Sequence, residues 1–181
     1  NTFFFNLNAI KSGQSRPKDV PKYKPQKVGI LGAGMMGAGI AYAQASRGIA
    51  TVLKDVSLEK AEHGKAYSQK LTQSRVDKGR MNPHDQTALL GRITPTADVA
   101  DLKGCELIIE AVFENRELKA KVTQEAEPLL AEGGFFASNT STLPISGLAQ
   151  ASKRPEKFVG IHFFSPVDKM KLVEIIRGET T

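Results

Sequence analysis

The sequence predicts an α/β domain in which helices cover both faces of a mostly parallel, doubly wound sheet, closed by a hairpin near the carboxyl-terminal end. Three observations carry that prediction. Short apolar runs suited to buried strands alternate with helix-length segments. The first run leads straight into a glycine-rich turn and a helical segment of small residues. The last two runs are joined only by a proline-bearing turn, too short for a helical crossover.

The glycine-rich turn is the most informative stretch. Val28 to Leu31 has the length and makeup of a buried strand, and Gly32-Ala33-Gly34-Met35-Met36-Gly37 follows without a break. Gly32 allows a tight turn, Gly34 lets a pyrophosphate approach the backbone, and Gly37 permits close helix–strand packing. The helix then begins where the phosphates would lie, presenting unpaired N–H groups and its positive dipole end. Ile49 to Lys54 reads as the second strand. Asp55 closes it, about 20 residues past the glycines, where a ribose-binding acid belongs. Taken together these features read as a dinucleotide site.

The remaining elements follow in order. Residues 1–25 read as a linker, with Ser12 to Pro17 and three prolines at 17, 21 and 25 breaking any regular element. Phe3 to Ile10 resembles the end of a helix from a preceding domain. Residues 26–181 then form the nucleotide-binding domain. Its first helix runs from Met35 to Arg47, and Ser57 caps a long second helix reaching Gly79. Asn82-Pro83 opens a shorter helix to about Leu90. Arg92 to Thr94 is a short strand, Thr96 to Leu102 a turn, and Cys105 to Ala111 a buried strand. Asn115 caps a helix to about Leu130. Phe135 to Ser138, Phe158 to Phe164 and Leu172 to Arg177 complete the strands, and Pro144 opens a short helix between the first two. In such a sheet ligands bind beyond the carboxyl ends of the strands, at the switch point. The glycine turn, Glu110 to Asn115 and Asn139 to Ser141 converge there.

Composition narrows the function classes. With 40% hydrophobic and 24% charged residues the chain is ordinary for a globular domain. No apolar run approaches the roughly 20 residues needed to span a bilayer, and no secretory signal pattern is present. The single cysteine, Cys105, excludes an internal disulfide and a multi-cysteine metal site, so the expected compartment is cytoplasmic and no metal is expected. The formal net charge of +6 favours anionic partners. Lys60, Lys65, Lys70 and Arg75 recur every five residues, a period that swings about 140° per step on a helix and builds no single basic face. Without a clustered patch and interleaved aromatics, nucleic acid is not an expected partner. A solvated helix surface is the default reading of these cations; the alternative is that Arg75, Lys78 and Arg80 meet the phosphates of a large anionic substrate. Lacking an initiating Met, the chain reads as a piece of a longer protein.

The catalytic candidates lie in the hairpin. If Gly160 to Phe164 pairs with Leu172 to Arg177 symmetrically about Asp168, His162 stands directly opposite Glu174. Cβ atoms of opposed residues are about 5 Å apart, close enough for a carboxylate to hold an imidazole. Such a carboxylate fixes the tautomer and stabilises the imidazolium, so the histidine can accept a proton near neutral pH. A structural pair is the competing reading, since a histidine beside two phenylalanines is commonly a core residue. Ser141, too, reads either as an ordinary turn residue before Pro144 or as a donor to a substrate oxygen. A Ser-His-Glu hydrolase is disfavoured, because no G-x-S-x-G elbow is present.

Three motifs resemble the 3-hydroxyacyl-CoA dehydrogenase family: the glycine turn, Ser138-Asn139-Thr140-Ser141, and His162 to Val167 with Met170 to Glu174. The likeness spans Lys27 to Arg177 and implies a Rossmann-like domain that binds NAD. It implies oxidation of 3-hydroxyacyl-CoA to 3-ketoacyl-CoA in fatty acid β-oxidation. His162 would take the hydroxyl proton, Glu174 would orient it, Ser141 would bond the reacting oxygen, and Asn139 would lie between substrate and nicotinamide. Cofactor contacts are implied at Gly32, Gly34, Met35, Met36 and Gly37, with Asp55 on the adenosine ribose. Ala111, Glu114, Lys119 and Asn139 would complete them. Ser165 stands where many members carry Asn. The linker resembles the join to an enoyl-CoA hydratase part in a multifunctional enzyme, which implies a multienzyme complex with a thiolase and allows a dimer. Family members add a helical C-terminal domain over the substrate, so the domain alone is expected to turn over poorly. Two rivals remain: a β-hydroxyacid dehydrogenase with a lysine-based site, and a non-catalytic NAD-responsive module in which His162 is structural.

Overall fold

A computed structural model describes residues 9, 12, 13 and 17–181; the helix end expected at Phe3 to Ile10 lies almost wholly outside the described residues. Residues 17–25 contain no helix or strand. The elements are β1 (Lys27–Leu31), α1 (Met35–Ser46), β2 (Ala50–Lys54), α2 (Leu58–Asp77), α3 (Pro83–Gly91), β3 (Ile93–Thr96), β4 (Cys105–Glu110), α4 (Arg116–Ala126), β5 (Leu130–Ser138), α5 (Ile145–Ala149), β6 (Phe158–Phe163) and β7 (Val173–Arg177).

They build one seven-stranded sheet in the order β3-β2-β1-β4-β5-β6-β7. Strands β1 to β6 pair parallel, and β7 pairs antiparallel with β6. The order reverses between β1 and β4, which is the switch point of a Rossmann-like fold.

Alternation along the strands divides the interior in two. Val28 and Ile30 of β1 face a core made with Ile40 and Tyr42 of α1, Leu89 of α3 and the partly buried Tyr67 and Leu71 of α2. Leu31 faces the other core, with Ile108, Phe136, Phe158 and Leu148. Phe136 and Phe158 stack there at 5.6 Å between ring centres. Cys105 is fully buried in this second core, and burial pushes its thiol up to about 11.

Caps follow the sequence signals. The Ser57 hydroxyl accepts from Lys60 N–H, and the Asn82 and Asn115 side chains accept from Asp85 and Leu118 N–H. Some boundaries differ from expectation. The α4 helix stops at Ala126 because Pro128 follows, and a 3-10 turn carries the chain to Leu129. Strand β3 runs through Pro95 to Thr96, which an edge position tolerates. A 3-10 turn, Val99–Leu102, then stands where an irregular turn was expected. Strand β5 starts at Leu130, five residues early, with a register shift opposite Cys105 to Leu107.

Candidate active site

The site opens where the sheet order reverses. Strand β1 ends at Leu31 and the chain turns at Gly32, whose φ of 92° disfavours any side chain. A Cβ on Gly37 would lie 1.8 Å from the Gly32 carbonyl oxygen. The glycine at 37 is therefore required by the turn itself; Ile30, the strand neighbour expected from the motif, is farther at 3.4 Å. At Gly34 a Cβ would meet nothing within 4 Å, and no side chain caps the amino end of α1. Helix N–H groups facing open space suit an anionic group.

Asp55 follows β2 and is held by two backbone donors, Ala33 N–H to Oδ2 and Val56 N–H to Oδ1, each 2.7 Å. Each oxygen keeps a lone pair for a further donor such as a ribose hydroxyl. A cavity of about 420 Å³ lies over the turn, lined by Gly32, Gly34, Met35, Met36 and Asp55 on one side and by Ala111, Val112 and Phe113 on the other. Val56 and Phe113, 76% and 81% exposed, give it apolar walls. Sequence reasoning missed both, because an isolated apolar residue in a loop carries no periodic signal.

A second cavity of about 320 Å³ shares Met36, Ala111 and Val112 with the first, so the two adjoin. Glu114, Asn139, Ser141 and His162 all line it. In the hairpin, His162 pairs with Glu174, as counting from Asp168 predicts. His162 Nδ1 lies 2.8 Å from Glu174 Oε2, and the ring meets the Phe164 ring edge-on at 4.6 Å. With Nδ1 donating to the carboxylate, Nε2 is left as the acceptor. The Asn139 Oδ1 accepts from Phe163 N–H at 2.8 Å, tying its loop to the strand that carries His162 and leaving its amide N–H groups as donors.

The hairpin is anchored at its apex. Val167 is buried and packs over Gly39 of α1, where even a Cβ would come within 2.9 Å. Tyr67 of α2 donates its hydroxyl to Asp168 Oδ1 at 2.8 Å. Burial and the Asp168 carboxylate push that hydroxyl up to about 12. Nothing in the sequence marks this pair, which is 101 residues apart.

Behind the cavity lies a chain of buried charges. Lys119 Nζ bridges Glu110 Oε1 at 2.7 Å and Glu114 Oε2 at 3.1 Å, with Lys119 and Glu110 only 2% and 1% exposed. Lys119 therefore reaches the cavity through Glu114 and not directly. Burial pushes the Glu114 carboxyl up, but donation from Thr140, Lys119 and Thr142 overrides it and holds the group at about 2. Glu110 is a further site residue that the sequence signals only as a charge ending a buried strand. It accepts from Ser138 Oγ at 2.8 Å and Val112 N–H at 2.9 Å.

Of the residues singled out in the sequence, Gly32, Gly34, Met35, Met36, Asp55 and Ala111 thus meet at the first cavity. Glu114, Asn139, Ser141 and His162 meet at the second, with Glu174 behind the imidazole. Arg75 is drawn aside to the Tyr42 hydroxyl at 3.1 Å, while Lys78 and Arg80 are exposed.

Comparison with known proteins agrees with this geometry. Residues 27–181 match the family model described as 3-hydroxyacyl-CoA dehydrogenase, NAD binding domain. The chain is 47% identical over 150 residues to the fatty acid oxidation complex subunit alpha of Psychrobacter arcticus, covering 83% of this chain and 21% of that protein. Among solved structures, (S)-3-hydroxybutyryl-CoA dehydrogenase from Ralstonia eutropha superposes with a TM-score of 0.83 at 38% identity, over 87% of this chain and 56% of that one. For 3-hydroxybutyryl-CoA dehydrogenase from Escherichia coli K12 the TM-score is 0.84 at 33% identity, over 88% of this chain and 34% of that one. The chain thus spans about a fifth of the curated relative and between a third and three fifths of these structures. The match over residues 27–181 shows that the chain belongs to the 3-hydroxyacyl-CoA dehydrogenase family, as its NAD-binding domain.

Proposed function

We propose that this domain binds NAD for the oxidation of an L-3-hydroxyacyl-CoA to the 3-ketoacyl-CoA, with His162 as the base. The observation that carries the reading is the His162–Glu174 pair, 2.8 Å apart, on the wall of a cavity that adjoins the dinucleotide groove. The α1 amino end and Gly34 accept the diphosphate, Asp55 the adenosine ribose, and Val56 and Phe113 flank the flat base. The negative charge of Asp55 opposes an extra phosphate on that ribose. When bound, NAD supplies the electron-pair acceptor of the reaction.

The chain's own residues do the rest. His162 Nε2 takes the proton from the 3-hydroxyl, and Glu174 stabilises the resulting imidazolium through Nδ1–H. Ser141 donates to the reacting oxygen, and the Asn139 amide lies between substrate and nicotinamide. Glu114 completes the nicotinamide side of the site, with Lys119 behind it. Lys78 and Arg80, both exposed, meet the phosphates of the CoA moiety, while Arg75 is held by the Tyr42 hydroxyl. The relative from Psychrobacter arcticus supports a place in the α-subunit of a fatty acid oxidation complex; with it we propose a cytoplasmic location and a thiolase partner. Among the described residues no helix is long and apolar enough to cross a membrane. In that parent protein residues 1–25 link a hydratase-like part to this domain.

The test is NADH consumption with acetoacetyl-CoA by the parent protein, wild type against His162→Gln. The expected loss in kcat is about 100- to 10,000-fold, with NADH affinity unchanged. An unaltered rate would remove His162 as the base, and no turnover by the wild type would leave a non-catalytic NAD-binding module.

A further inference from the structure

Residues 138–140 leave β5 with burial that alternates, and the chain then bends at 141–143. Ser138 and Thr140 point inward, 0% and 2% exposed, while Asn139 and Ser141 line the second cavity. The inward pair meets the buried charges: Ser138 donates to Glu110 and Thr140 donates to Glu114 Oε1. That single Glu114 oxygen also accepts from Ser141 N–H at 3.2 Å, Thr142 N–H at 3.3 Å and Thr142 Oγ1 at 3.1 Å. Its other oxygen is held by Lys119. Thr140 Oγ1 in turn accepts from Leu143 N–H at 3.0 Å. The loop is therefore gathered from below, and the residue above the gathering point is Ser141.

We propose that Thr140, acting through Glu114, is a positioning residue that holds Ser141 where it meets the reacting oxygen of the substrate. This rests on the role given to Ser141 above. Without the Thr140 hydroxyl, the Glu114 oxygen loses a buried donor and Leu143 N–H its acceptor, so the turn is no longer pinned on either side. A shift of about 1 Å at a positioning group is worth on the order of 100-fold in rate. Thr140 touches neither cavity, so its effect on cofactor binding should be small.

The whole enzyme is assayed with acetoacetyl-CoA and NADH for Thr140→Val, Thr140→Ser, Ser141→Ala and the double variant Thr140→Val/Ser141→Ala. Thr140→Val is expected to lower kcat by about 10- to 100-fold, with NADH affinity and Tm close to wild type. Thr140→Ser, which restores the hydroxyl, should recover the rate. On the Ser141→Ala background Thr140→Val should cost nothing more, an outcome that general loosening of the fold does not produce. A full rate for Thr140→Val, or equal fold losses in both backgrounds, overturns the positioning role while a slow Ser141→Ala leaves the function of Ser141 standing. A full rate for Ser141→Ala overturns the assignment of that serine and this inference with it. Should Thr140→Val not fold, Thr140→Ala, which also removes the hydroxyl, takes its place in the same cycle and reads the same two outcomes.

Discussion

Glu114 shows how one side chain can serve a site through its surroundings. Its carboxylate is held at about 2, below an ordinary value of 4.5, because hydroxyl, amide and ammonium donors outweigh the effect of burial. A pKa lower in the folded than in the unfolded chain means the native state favours the charged form. The stabilisation is then complete above pH 4.5 and is lost as the pH falls from there toward about 2. Wild type should accordingly lose Tm faster than Glu114→Gln over that window, the two curves converging at its acid end. Parallel melting curves would show that the carboxylate charge contributes nothing. At this scale the sequence was partly legible. His162 and Glu174 could be placed by counting, since pairing in a hairpin is arithmetic. The five donors on Glu114 could not, because they converge only once two loops from different strands and helix α4 meet.

Among the elements, the hairpin of β6 and β7 depends most on help from elsewhere. Its apex is fixed to α1 through Val167 and to α2 through the Tyr67–Asp168 hydrogen bond. Removing that bond with Tyr67→Phe should destabilise the protein by about 1 kcal/mol while leaving the ring's packing in place. Denaturant unfolding measures this, and an unchanged midpoint would mean that the bond is matched by water in the unfolded chain. The elements themselves were readable in order and type, because caps, prolines and glycines sit at their ends. The misjudged limits share a cause. Strand β5 begins before the Gly133-Gly134 pair that suggests a turn, because Leu130 already pairs with Cys105; the glycines fall in the register shift before Phe135, Gly133 at a φ of 75°. Strand β3 passes through a proline that an edge strand can accommodate.

Over the whole molecule, the sheet separates two cores, and both are needed to hold its carboxyl edge in shape. Phe136 stands at the centre of one, fully buried between β4 and β6 and stacked on Phe158. Phe136→Ala should cost about 3–5 kcal/mol in unfolding free energy, the loss of transfer energy plus an unfilled cavity. A cost under about 1 kcal/mol would mean that the layer collapses to fill the gap. The two adjoining cavities, by contrast, lie along one rim. Strand β7 alone among the described strands runs against its neighbours, and this reversal brings Glu174 back to the rim that His162 has just reached. The distance between imidazole and carboxylate is consequently a property of the backbone ladder, set by the spacing between two strands. Mutational drift in the surrounding loops can therefore reshape the cavity wall while these two side chains keep their spacing.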